Sequence, residues 1–248
     1  MIAKTKSQEV RAAVASDVTS SDLVRLLEKC LLFRVLDEDA RQALAARAHH
    51  RSFKSREPIF HLGAPGQSMM VILKGIVRVS LPGPKGKVVI LADLTAGELL
   101  GEVALFDGKE RSADATALTN CSMAVLERRD VLPFLSNRAD ACLKLLELMC
   151  ARLRKSDERM SEIAFFELPA RLAKTLLERI NLSTSTGGAS RLSLSQSELA
   201  GMINASRENV NRCLRDWQRR GIVNLDDRWI SVKQRDVLGA IANQMVAT

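Results

Sequence analysis

The chain has 248 residues, 46% of them hydrophobic and 27% charged. That composition excludes an intrinsically disordered protein and allows one large core or two smaller ones. The net charge of +8 favours polyanionic partners, although ordinary surface lysines and arginines give the same balance. No apolar run approaches the ~20 residues that cross a bilayer, and the opening MIAKTKSQEVRAAVASD has no apolar signal-peptide core, so no membrane association and a cytoplasmic location are expected. Five cysteines (Cys30, Cys121, Cys142, Cys150, Cys213) form no CxxC pair, and His49, His50 and His61 have no zinc-ligand spacing; neither disulfides nor a metal site are expected.

Eight of the thirteen glycines lie between Gly63 and Gly108. The same stretch holds β-rich runs at Met69–Leu73, Ile76–Leu81 and Lys87–Leu91, with another at Cys121–Leu126. Lys74-Gly75 and Pro82-Gly83-Pro84-Lys85-Gly86 supply hairpin turns, and the pattern predicts a small antiparallel barrel or roll. From Asn137 to Ile163 there is no Gly or Pro. Leu146, Met149, Leu153, Ser156, Met160 and Ile163 alternate at spacings of three and four, which is a coiled-coil seam or, alternatively, the buried face of a core helix. Pro169 then suits the first turn of a new helix over Arg171–Ile180, and Ser183–Ser190 reads as a loop.

Ser195-Gln196-Ser197-Glu198 has the form of a capping box and opens a short helix to about Ile203. Asn204-Ala205 turns the chain, and Ser206 caps a second helix from Arg207 to about Arg220, stopped by Gly221. Helix, four-residue turn and helix make a helix-turn-helix. Val210, Leu214 and Trp217 form its buried face, which leaves Arg207, Glu208 and Arg212 at the exposed N-terminal end, where Arg matches guanine and a carboxylate matches cytosine. Arg191–Arg235 carries nine Lys/Arg against five Asp/Glu. Ile222–Leu225 and Trp229–Val232 flank Asp226-Asp227-Arg228 as a wing hairpin. A helical pair used for protein contacts is the alternative.

In Gly97–Ala113 a glycine-led turn at Gly101 passes into one turn of helix and then to Arg111-Ser112. Amides at such a helix start favour an anion, Arg111 can clamp phosphate oxygens with Ser112 as a further donor, and Glu102 can accept from a ribose hydroxyl. A surface hairpin carrying a Glu–Arg pair fits the same spacing.

Two blocks go beyond spacing. GEVALFDGKERSA resembles the phosphate-binding cassette of the cyclic-nucleotide-binding β-roll, and SRENVNRCLRDWQRRGIV resembles the recognition helix of the cyclic-AMP receptor branch of the CRP/FNR superfamily. With a long helix ending in IAFFEL between them, the chain from about Leu27 to Lys233 resembles that superfamily. The resemblance implies an α+β fold: a cyclic-nucleotide-binding antiparallel β-roll (26–136) after an N-terminal extension (1–25), a dimerisation helix and hinge (137–167), and a winged helix-turn-helix (168–248). It implies a homodimeric, non-enzymatic transcription regulator with a cyclic nucleotide effector, double-stranded DNA as target and RNA polymerase as partner. Gly101, Glu102, Arg111 and Ser112 would hold the ribose and cyclic phosphate. Arg207, Glu208 and Arg212 would read a palindromic TGTGA-type site, and Ser195, Gln196, Ser206 and Asn209 would contact phosphates; Gln196 stands where a basic residue is often found.

On the long helix, Ser156 and Asp157 stand where the family places two neighbouring hydroxyl residues against adenine. A carboxylate only accepts hydrogen bonds, so Asp157 fits adenine N6 or the N1–H and N2 donors of guanine; cyclic AMP is the expected effector, with cyclic GMP as a competing or additional one. A solvated Asp157, or one paired with Arg154 or Lys155 across a dimer, is the alternative. The clustered N-terminal cysteines of iron–sulfur relatives are absent, and His61 and Cys121 read as a turn histidine and a strand cysteine rather than haem ligands. The competing functional class is a ligand-independent or redox-controlled regulator with a vestigial nucleotide site.

Overall fold

The structure is a computed structural model, which describes Cys30, Phe33 and residues 36–185, 191–226 and 229–244. The expected N-terminal extension, most of the loop after Leu182 and the Asp227-Arg228 turn lie outside the described residues. The chain divides into two compact units, one running to Leu81 and resuming over Ala92–Met149, the other comprising Pro82–Leu91 and everything from Cys150.

The first unit opens with helix α1 (Glu38–Ala45), capped by Asp37, whose carboxylate accepts from the Ala40 amide. Strands β1 (His49–Phe53), β2 (Pro58–Phe60), β3 (Ser68–Lys74), β4 (Val77–Pro82), β5 (Val88–Leu94) and β6 (Leu99–Leu100) follow, then the short helix α2 (Glu102–Asp107), strands β7 (Asp114–Ala117) and β8 (Cys121–Glu127), and helix α3 (Arg128–Ser136). They form two four-stranded sheets, ordered β1-β8-β3-β6 and β2-β7-β4-β5. The pairings of β8 with β1 and β3, of β3 with β6, and of β7 with β2 and β4 are antiparallel.

The apolar runs of β3 and β8 are continuous because both faces are buried. Met69, Val71, Leu73, Ala124 and Leu126 pack with Phe33, Leu105, Val131 and Leu145. Their neighbours Met70, Ile72, Met123 and Val125 point the other way, toward Phe53, Val77, Leu94 and Leu100. A strand alternates its side chains across the sheet, so a strand sandwiched between helices and a second sheet must be apolar at every position. No helix was expected over Arg128–Ser136, and Pro133 lies inside it. Proline costs the helix the backbone bond to the carbonyl four residues earlier and crowds that carbonyl, but Val131 and Leu135 still reach the core.

Helix α4 spans Ala139–Phe165, close to the expected 137–163. Its only buried residues are Ala141 and Leu145. Leu146, Leu153, Met160 and Ile163 are 49–69% exposed, Ser156 is exposed and Met149 half-buried. Among the described residues nothing buries Leu146, Leu153, Met160 or Ile163, as the core-helix alternative would require.

In the second unit, helix α5 (Leu168–Ser185) starts earlier and ends later than expected. Pro169 sits in its first turn, where no amide is needed. Ser183–Ser185 continue the helix instead of opening the loop, since Ser and Thr cost a running helix only tenths of a kcal/mol. Lys174 of α5 pairs with Glu162 of α4. Then come β9 (Arg191–Leu192), α6 (Gln196–Met202), α7 (Arg207–Arg219), β10 (Val223–Asp226), β11 (Trp229–Val232) and α8 (Arg235–Ala242). The order β10-β11-β9 forms a three-stranded antiparallel sheet. One core joins Leu172, Leu176, Leu199, Val210, Leu214, Trp217, Ile222 and Leu238. Segment Pro82–Leu91 groups with this unit, and a Cβ on Gly201 of α6 would come 2.7 Å from the Val88 carbonyl oxygen.

Leu214 has no exposed surface. Leu214→Ala is expected to destabilise the second unit by about 2–5 kcal/mol, read as an earlier urea-unfolding transition of that unit.

Candidate nucleotide site and nucleic-acid interface

The first site is built where β6 turns into α2. Gly101 has φ +80° and Gly108, at the other end of α2, φ +73°. At Gly101 the requirement is double, because a Cβ there would lie 2.4 Å from Arg111 Nη1. Arg111 is anchored through its own backbone: its amide donates to the Ala64 carbonyl at 2.8 Å, and its carbonyl accepts from the Gly63 amide at 2.9 Å. Its side chain runs inward. Nη1 donates to the carbonyl oxygens of Ser68 (2.7 Å) and Gly101 (2.8 Å), and Nη2 donates to Ser68 Oγ (3.1 Å). The Phe60 ring covers the guanidinium with its centroid 4.4 Å from Cζ, a cation–π distance.

Among the described residues only Ser80, Glu102 and Arg111 are buried polar or charged groups. Two of the three meet here, Glu102 at 2% and Arg111 at 5% exposure. Burial pushes the Arg111 pKa down, opposed by the charges of Glu102 and Glu127. The Arg111 Nε has no hydrogen-bond partner among the described residues. A buried donor left open costs roughly 1–3 kcal/mol, and this nitrogen can take an acceptor without breaking an existing bond. Ser112, next along, is exposed. The structure thus brings Gly101, Glu102 and Arg111 together. Ser156, whose hydroxyl donates to the Arg152 carbonyl at 3.1 Å, and Asp157 are both exposed on α4. Ser68 and Phe60 were missed by sequence reasoning: one opens a strand, the other sits in a strand of three residues, and neither carries a signal of its own.

The second site is the helix-turn-helix. Ser195 Oγ accepts from the Glu198 amide (3.1 Å) and Glu198 Oε2 accepts from the Ser195 amide (2.9 Å), the reciprocal capping box expected from S-x-x-E. Asn204 makes the turn at φ +50°, a conformation that Asn tolerates. Ser206 caps α7 by accepting from the Asn209 amide at 3.2 Å. Val210, Leu214 and Trp217 are buried as expected, while Arg207, Glu208, Asn209 and Arg212 are exposed at the N-terminal end. Arg212 Nη2 donates to Asn209 Oδ1 at 2.7 Å, so Asn209 orients Arg212. Gln196 reaches Asn211 at 3.4 Å. The Glu208 carboxyl lies below its usual pKa, first through backbone and Ser206 hydrogen bonding, then through Arg207 and Lys87. The C-terminal helix α8 was not expected; it packs against α5 and adds Leu238 and Ile241 to the core.

No group of three or more His, Cys, Asp or Glu that could hold a metal ion occurs among the described residues. No helix among them is long and apolar enough to cross a membrane.

Residues 50–138 match the model of the cyclic nucleotide-binding domain, and residues 170–241 that of the Crp-like helix-turn-helix domain. With the geometry above, the two modules define a cyclic-nucleotide-binding, DNA-binding transcription regulator rather than an enzyme. The chain belongs to the CRP/FNR family. It is 31% identical over 192 residues to the cyclic AMP receptor protein of Thermus thermophilus, covering 77% of this chain and 87% of that one. It is 27% identical over 216 residues to a CRP-like cAMP-activated global transcriptional regulator of Mycobacterium tuberculosis, covering 86% and 96%. In fold it matches a crystal structure of a CRP/FNR-family regulator from Eubacterium rectale with a TM-score of 0.75 at 18% identity, over 88% of this chain and 100% of that one.

Two outcomes follow from the site geometry. Gly101→Ala, which meets both the positive φ and the guanidinium, is expected to lower cyclic-nucleotide affinity at least ~10-fold in calorimetry and to cost roughly 1–3 kcal/mol of stability. Burial and the neighbouring Asp216 raise the Cys213 thiol to about 11. Because the thiolate is the reactive form, Cys213 is expected to label with iodoacetamide at pH 8 far more slowly than exposed Cys150, as read by peptide mass spectrometry.

Proposed function

We propose that the chain is a homodimeric regulator whose affinity for DNA is set by a cyclic nucleotide held at Arg111, with cyclic AMP as effector and cyclic GMP as a competitor for the same site. The observation that carries this reading is the buried guanidinium with an open Nε, beside buried Glu102. A cyclic phosphodiester supplies the missing acceptor, and guanidinium–phosphate pairs are strong and directional. Glu102 accepts from the ribose 2′-hydroxyl, and Ser112 adds a donor to the phosphate. Ser156 and Asp157 are assigned to the base, where the carboxylate accepts from either purine. The similar proteins named as cAMP-activated or cyclic-AMP-receiving support the effector.

The uncovered stripe Leu146, Met149, Leu153, Ser156, Met160 and Ile163 pairs with its copy in a second chain, because exposed Leu, Met and Ile at three-four spacing match a coiled-coil seam. Two recognition helices then face two half-sites about 34 Å apart, one DNA turn, and a palindromic TGTGA-type operator follows. Arg207, Glu208 and Arg212 read base edges, while Ser195, Gln196, Ser206 and Asn209 approach phosphates. RNA polymerase is the partner in transcription, and the protein acts in the cytoplasm. Ligand and DNA strengthen each other's binding reciprocally.

One observation favours a second reading, a regulator that needs no ligand. Three bonds to Ser68 and Gly101 already hold Arg111 in place, so the fold itself supplies most of the acceptors that the guanidinium needs.

Titrating the protein with cyclic AMP and cyclic GMP, with and without a palindromic TGTGA-containing duplex, separates the two readings. Arg111→Ala is expected to weaken nucleotide binding more than ~30-fold and abolish the nucleotide's effect on DNA affinity. Arg212→Ala is expected to cost about 1–3 kcal/mol of specific DNA binding and to leave nucleotide affinity intact. Silence of the wild-type chain toward both nucleotides, with specific DNA binding retained, establishes the second reading.

A further inference from the structure

The three bonds to the Arg111 guanidinium are not distributed evenly over its edges. Nη1, the nitrogen syn to Cδ, has two N–H groups, and both are used, on the Ser68 and Gly101 carbonyls. Nη2 gives one N–H to Ser68 Oγ. Ser68 therefore takes the end of the fork with two of its own atoms, carbonyl and hydroxyl. The remaining donors are Nε–H, which has no partner among the described residues, and the second N–H of Nη2. These two lie parallel on the same side of the guanidinium, in the geometry that matches two oxygens of a phosphate. Phe60, stacked on the face at 4.4 Å, blocks the guanidinium from rolling about its long axis.

We infer that Ser68 is a positioning residue: by occupying the end edge of Arg111 it fixes the Nε–Nη2 edge as the one offered to the cyclic phosphate. This inference rests on the nucleotide reading above. It gives a role to a residue at the mouth of β3 that no spacing argument selects. Without the Ser68 hydroxyl, Nη2 loses an acceptor, and the guanidinium is free to turn its end edge toward the anion and give up the two carbonyl bonds.

The test uses the full chain, calorimetry with cyclic AMP and cyclic GMP, and the Nε–H resonance of Arg111 in protein labelled with 15N-arginine, assigned by its loss in Arg111→Lys. Ser68→Ala is expected to weaken binding of whichever nucleotide the wild type takes about 10-fold, as for loss of one hydrogen bond to a charged group, with the thermal midpoint of the free protein little changed. Ser68→Thr, which keeps the hydroxyl, is expected to restore affinity. In the wild type the Nε–H resonance is expected to shift on nucleotide addition, and in Ser68→Ala that shift shrinks. Wild-type affinity in Ser68→Ala, failure of a folded Ser68→Thr to restore binding, or an Nε–H resonance indifferent to bound nucleotide would each overturn the role of Ser68 while leaving the ligand reading in place. A wild-type chain that binds neither nucleotide overturns both.

Discussion

The nucleotide half of the molecule depends on keeping one guanidinium out of water. Arg111 is 5% exposed, and an unpaired charge placed there would be among the costliest features a fold can carry. Backbone carbonyls offset most of that cost, because they are fixed by the sheet and need no ordering of their own. Ser68 contributes one from the start of β3 and Gly101 the other from the left-handed turn before α2. The glycine follows from the arginine: any Cβ at position 101 would occupy the space of Nη1. Likewise the strand that carries Ser68 is held firmly, since like β8 it is buried on both faces. A strand packed on both sides thus supports the buried Arg111 guanidinium.

The DNA-binding half follows a different logic, in which the charges stay in water and only their support is buried. Val210, Leu214 and Trp217 fix α7 to its core, and the caps at Ser195 and Ser206 set where each helix begins. Arg207, Glu208 and Arg212 remain exposed at the first two turns of α7, with Arg212 oriented by Asn209. Exposed arginines lose little on desolvation until DNA arrives, and phosphate attraction is long-ranged at low salt. A buried arginine selects a small anion by fit, whereas exposed ones gather a polyanion and then read it.

Legibility in the sequence divided along the same line. The helix-turn-helix was readable almost residue by residue, because capping, turn and amphipathic spacing are local signals: S-x-x-E, Asn204 and the Val210–Leu214–Trp217 spacing each act within one or two turns. The β-roll was readable only through its apolar strands β3, β4, β5 and β8. Strands β1 and β2 have few buried residues and carry no alternation, so they take their strand conformation from pairing partners far along the chain, β8 and β7. Helix α3 was hidden by Pro133 and α8 by its position after the wing. Arg111 and Glu102 stood out through the block that contains them, but their partners Ser68 and Phe60 did not. They come to Arg111 across 43 and 51 positions of chain, a distance over which no periodicity speaks.

The charge balance of the buried pair also bears on which anion fits. Arg111 and Glu102 together are neutral when both are ionised, and Glu127 adds a further negative charge nearby. Burial lowers the Arg111 pKa, and an incoming anion acts in the opposite sense, favouring the charged guanidinium further. A neutral ligand could accept from the Nε–Nη2 edge but would bring no charge to it, and charge-assisted hydrogen bonds are the stronger ones. A dianionic phosphate monoester would place a second negative charge close to Glu102 and Glu127, where the low dielectric strengthens repulsion as much as attraction. A phosphodiester has one charge spread over two oxygens. That matches one free guanidinium edge and adds the least repulsion, so on the proposed reading the site distinguishes the cyclic nucleotide from its hydrolysed product by charge as well as by shape.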